Sequence, residues 1–148
     1  MKPDLQFSVL CDDLRREDNG KFILIGLFEA VAGMQFPMTY PSLCVVNRWC
    51  NGEGKFSQRI RIMSSSNDKI AETDESPVIL PATLANITSV SVFRNMSFPQ
   101  PGRYWVEVLL DGDLKQRYPL MALQIQAGPG QAGPGGLPPA TGGTAPAG

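Results

Sequence analysis

Four carboxylates, Asp12, Asp13, Glu17 and Asp18, fall within the short stretch CDDLRREDNG, and Arg15 and Arg16 interleave with them. Oxygen ligands gathered on one loop suit a hard cation such as calcium. Acid–base chemistry would instead need one carboxyl group desolvated, so that its pKa rises toward neutrality. The two arginines weigh against both uses, because they neutralise the cluster from within and keep it hydrated. The expectation is an ion-paired loop of Asp12, Asp13, Arg15, Arg16 and Glu17 that fixes the first crossover. A metal site and a partner-binding rim are the lesser alternatives.

Nucleophilic chemistry fares no better. The sequence contains no histidine, so Cys11, Cys44 and Cys50 have no imidazole to activate them. Three cysteines without C-x-x-C spacing form neither a disulfide framework nor a zinc site. Reduced, structural cysteines are expected, which fits a cytoplasmic setting. No glycine-rich phosphate loop is present. The chain reads as not an enzyme, with no cofactor.

Charge narrows the partners. With 13 basic and 14 acidic residues the net charge is −1, which gives no broad electrostatic footprint for a nucleic acid or a membrane surface. Arg48, Trp49, Arg59 and Arg61 would suit a basic, aromatic face for single strands. A hydrated face paired with Glu72, Asp74 and Glu75 is the simpler expectation. No apolar run approaches the ~18 residues of a membrane span, and the first residues lack the apolar core of a secretory signal. Neither a nucleic acid nor a membrane is expected as a partner; a protein or a second copy is.

The elements that must carry these residues are short. Runs rich in Val, Ile, Phe and Leu, closed by Gly, Pro, Asn or Asp, predict strands at 5–10, 21–28, 43–49, 56–63, 88–93, 103–110 and 114–124, with a weaker one near 69–73. No window shows a sustained helical period. Asp111-Gly112 between two apolar runs predicts a tight hairpin, whose first arm turns Tyr104, Val106, Val108 and Leu110 to the core. Its other face carries Trp105 and Leu109, which asks for a cover. Residues 22–25 are apolar on both faces and predict a central strand. Residues 56–62 alternate apolar with Ser57, Arg59 and Arg61 and predict an outer strand. Pro119 predicts a bulge or an edge, and Pro99 and Pro101 a stiffened turn.

Between Gly26 and Pro41 the alternation fades, and a long connection crossing between sheets is expected. Met34, Phe36, Met38 and Tyr40 alternate within it. Together with Trp105 and Leu109 they are the candidate partner-binding residues, unless the segment merely caps an open end of the sandwich.

The charged stretch and the strand after it, VLCDDLRREDNGKFILIG, resemble a bacterial family of uncharacterised small domains. The pattern is Cys11-Asp12-Asp13, then Arg15 or Arg16 with Glu17, then Asn19-Gly20-Lys21 and Leu24-Ile25-Gly26. The resemblance extends to Pro101-Gly102-Arg103-Tyr104 and the Asp111-Gly112 hairpin, so it covers about residues 5–125. It implies a domain boundary and no catalytic role.

All charged residues lie between Lys2 and Arg117, and residues 127–148 are almost wholly Gly, Pro and Ala. The organisation expected is one domain at 1–126 and a low-complexity, disordered or extended tail at 127–148. The body is expected to be an all-β, antiparallel, immunoglobulin-like β-sandwich, with a closed barrel as the alternative. The function expected is a non-enzymatic protein-binding or self-assembly module acting through sheet edges and loops. A sandwich binding a small ligand or calcium is the competing expectation.

Overall fold

The computed structural model describes residues 2–126. The expected tail at 127–148 lies outside the described residues. Ten strands follow in order: β1 (Asp4–Arg16), β2 (Phe22–Phe28), β3 (Ala30–Gly33), β4 (Met38–Cys50), β5 (Gly54–Ser64), β6 (Lys69–Glu72), β7 (Ser76–Leu80), β8 (Ile87–Phe98), β9 (Gly102–Leu110) and β10 (Asp113–Gln124). They form a four-stranded sheet in the order β2-β1-β4-β8 and a larger one in the order β3-β10-β9-β5-β6, with β7 also on β5. No helix occurs among the described residues.

Alternation predicts the core well. Tyr104, Val106, Val108 and Leu110 of β9 and Ile60 and Ile62 of β5 are buried, and they meet Leu43, Val45 and Trp49 of β4 between the sheets. The hairpin turns at Asp111 (φ 50°) and Gly112 (φ 83°), both in the left-handed region that tight turns require. At the β8–β9 crossing the Tyr104 hydroxyl donates to the Gln100 carbonyl at 2.6 Å, and its ring meets Phe98 edge-on at 5.0 Å. That pairing anchors the turn between Pro99 and Pro101. Pro119 sits where β10 has a partner only on the β9 side, because β3 begins to pair at Met121.

Several expectations change. The first is strand position. β2 is at an edge rather than central, and β5 is internal rather than outer, with β9 on one side and β6 and β7 on the other. The arginines of β5 project from the outer face of the larger sheet, where Arg59 pairs with Glu72 at 3.2 Å and Arg61 with Glu107 at 2.9 Å. The second is direction: β3 runs parallel to β10, so the fold is not wholly antiparallel.

A buried polar cluster ties the sheets together. The Gln58 side-chain carbonyl of β5 accepts from Asn47 Nδ2 at 3.1 Å, Trp49 Nε1 at 2.7 Å and Ser89 Oγ at 3.0 Å. Asn47, Trp49 and Gln58 are fully buried, so these bonds satisfy groups that water cannot reach.

Candidate functional site

The charged stretch is mostly strand. Asp12, Asp13, Arg15 and Arg16 lie on β1, and only Glu17–Lys21 form a loop. This corrects the expected ion-paired loop: the segment is one arm of a hairpin, not a crossover. The turn is made by Gly20 (φ 89°), whose amide donates to the Glu17 carbonyl at 2.9 Å, while the Glu17 amide donates to the Lys21 carbonyl at 2.8 Å. Asn19 Oδ1 accepts the Lys21 amide at 2.9 Å.

Pairing across the hairpin sets Leu10 against Phe28, Cys11 against Leu27, Asp13 against Ile25, Arg15 against Ile23 and Arg16 against Phe22. The two halves of the sequence pattern are therefore cross-strand neighbours. Gly26 (φ 72°) lies against Asp12, where a Cβ would come within 2.5 Å of Oδ2. The Asp12 carboxylate in turn accepts the Tyr40 hydroxyl. Burial first, and that bond second, push the Tyr40 phenol above its ordinary pKa. The Tyr40 ring also meets Phe28 at 5.5 Å with the planes tilted by 55°.

The carboxylates do not converge. Asp13 accepts the Leu14 amide at 2.7 Å and pairs with Arg15. The amide, and then the guanidinium, hold its carboxyl below the usual carboxylate range. Arg16 lies over the Phe22 ring at 4.5 Å, and Glu17 meets Asn19 at 3.5 Å. Among the described residues no group of three or more Cys, Asp or Glu side chains is placed to hold a metal ion.

Beneath the hairpin, Cys11 and Cys44 face each other across β1 and β4. With Val46 they form a small second core against Phe7, Val9, Leu14, Leu24 and Val90. Burial, then the neighbouring Cys44, push the Cys11 thiol up to about 11. A thiol held protonated is a poor nucleophile.

The distinctive feature of this hairpin is its open side. Among the described residues β2 pairs with β1 and with no other strand, and it exposes Ile23 (43%), Ile25 (42%) and Leu27 (64%). Proteins usually blunt such edges with charge, proline, bulges or brevity. The other edges here carry those devices. β3 and β6 are four residues long, β7 contains Pro77, and β8 contains Arg94 and a left-handed residue, Asn95 (φ 51°). β2, FILIGLF, carries no charge and no proline, and its one irregularity is Gly26 (φ 72°).

The expected partner-binding residues do not form one surface. Met38 is buried in the core, Phe36 and Tyr40 are half-buried against it, and Met34 alone is exposed. Met38 and Tyr40 belong to β4, paired with β8, and Ala30–Gly33 form β3, so the segment is largely strand rather than a long connection. Leu109 is 7% exposed. Trp105 lies between Arg117 at 4.3 Å and Arg103 at 5.5 Å, so the chain supplies its own cover. The basic set is split as well: Trp49 is in the core, and Arg48 lies over Phe7 at 5.3 Å on the opposite sheet from Arg59 and Arg61. The open β2 edge was not anticipated. Its signal was the uncharged run between Lys21 and Glu29, which reads alike for a central strand and for one awaiting a partner.

A family described as a family of unknown function, DUF6941, matches residues 6–123. No curated protein matches the chain. Among solved structures, a β-glucosidase from Listeria innocua is similar at 11% identity and a TM-score of 0.46, over 84% of this chain and 17% of that one. The same enzyme in complex with gluconolactone is similar at 13% identity and a TM-score of 0.44, over 82% of this chain. This chain thus spans about 17% of the length of the β-glucosidase chains.

Proposed function

Since the chain belongs to DUF6941, a family of unknown function, we propose a role from geometry: a non-enzymatic protein-binding or self-assembly module that acts through the open β2 edge. The observation that carries this reading is a seven-residue edge strand with no charge or proline and three exposed branched apolar side chains, Ile23, Ile25 and Leu27. A strand added there would gain main-chain hydrogen bonds for affinity, and alternate side chains would set selectivity. The two packed sheets are read as an immunoglobulin-like sandwich, which holds β2 rigid on the β1–β4 platform. A cytoplasmic location belongs to the same proposal and accords with three free cysteines.

The experiment is affinity capture from the native cell with the wild-type chain and with Ile25→Lys. Ile25 lies on an edge and is half exposed, so the substitution leaves the core intact. A protein retained by the wild type and lost with Ile25→Lys supports the reading. Equal retention by both chains refutes it.

A further inference from the structure

We propose that the strand received by β2 is β2 of a second copy of this chain, paired antiparallel about a two-fold axis at Ile25. This rests on the edge reading above and names its occupant. The segment from Lys21 to Glu29, KFILIGLFE, is complementary to itself when reversed. Centred on Ile25, the antiparallel register sets Lys21 against Glu29 of the second copy, Phe22 against Phe28, Ile23 against Leu27, Leu24 against Gly26 and Ile25 against Ile25. Opposite charges close both ends, and branched apolar side chains meet between them at the ~5 Å spacing of directly opposed residues.

Neither Lys21 nor Glu29 has an ion-pair partner among the described residues. Both are exposed and flank the strand. Gly26, without a side chain, leaves room for Leu24 of the other copy. A parallel pairing would bring Lys21 beside Lys21 and Glu29 beside Glu29. A one-residue slip would set Lys21 against Phe28 or Glu29 against Phe22, breaking both ion pairs, and turn the side chains out of step. The antiparallel contact is isologous, so it closes at two copies and joins the two four-stranded sheets into one of eight strands. One strand pair falls short of the ~1,200 Å² typical of stable interfaces, so the dimer is weak.

Sedimentation equilibrium from about 1 to 500 µM, a range chosen for a small interface, tests this on the full chain. The wild type should pass from monomer to dimer. Ile25→Lys and Ile25→Glu, each with the thermal melt of a folded chain, should stay monomeric because like charges oppose at the axis. Mixed in equal amounts they should form a heterodimer. A wild type that stays monomeric, a dimer that survives in either variant, or a mixture that stays monomeric overturns the proposal. The edge reading fails separately: if proteins captured by the wild type are lost with Ile25→Lys while no dimer forms, the occupant is another protein. If capture is unchanged, the edge itself is not the binding element.

Discussion

Replacing Gln58 with leucine tests how the two sheets are held together. Its side-chain carbonyl reaches from β5 to three donors on the smaller sheet: Asn47 Nδ2, Trp49 Nε1 and Ser89 Oγ. Leucine is similar in size but accepts nothing. A buried donor left unpaired costs roughly 1–3 kcal/mol. Asn47 and Trp49 are fully buried and take that cost. Ser89 is only part-buried, and its hydroxyl can rotate toward water, so its cost falls at the low end. The sum is about 3–7 kcal/mol, and the added apolar burial of leucine offsets roughly 1 kcal/mol of it. A net loss of about 3 kcal/mol is a large share of the ~5–15 kcal/mol that keeps a domain folded. It should lower the Tm by roughly 10 °C for a domain of this size. Urea unfolding followed by tryptophan fluorescence measures it. Ser89→Ala removes a single part-buried donor and should cost less. A Gln58→Leu chain within about 0.5 kcal/mol of the wild type, the range of a neutral surface change, would refute the reasoning.

Three further outcomes follow from the hairpin and its surroundings. Gly26→Ala should destabilise by about 1–2 kcal/mol, because it adds a Cβ in the left-handed region and against Asp12; thermal melts of the pair check it. At pH 8 a maleimide should label half-buried Cys50 in the folded chain and spare buried Cys11 and Cys44, with all three reacting in denaturant. Stability should also fall in alkali. Burial raises the folded Cys11 thiol from 9.0 to about 11 and the folded Tyr118 phenol from 10.0 to about 12. Their contributions are therefore complete below about pH 9 and pH 10, and are lost as pH rises through 11 and 12. Urea midpoints measured from pH 8 upward should decline across that window; a flat profile contradicts the assignment.

The parts of the fold legible in the sequence were those whose signal is local. Asp111-Gly112 and Asn19-Gly20 mark turns by backbone chemistry alone, and the alternation through Tyr104, Val106, Val108 and Leu110 fixes which face of β9 is buried. Strand position was not local. Residues 22–25 are apolar on both faces, as in a central strand, yet β2 lies at an edge. Arg59 and Arg61 resemble a hydrated outer strand, yet β5 is internal and their charges are met by Glu72 and Glu107. Asp12 to Arg16 look like a loop because they are charged, but pairing with β2 draws them into β1. β7 was hidden because Pro77 lies within it and because it is formed by pairing with β5. The Gln58 cluster brings together residues that stand apart in the chain, and nothing in their spacing announces it.

Hydrogen exchange at the β2 backbone tests the central claim most directly. Amides of residues 22–28 that point away from β1 have no protecting strand among the described residues, so they should exchange quickly at low micromolar protein. They should become protected as concentration rises through the dimerisation range, while the amides of β7 and β8 keep their rates. Unchanged β2 exchange at every concentration, or protection that develops along β8 instead, would contradict the account.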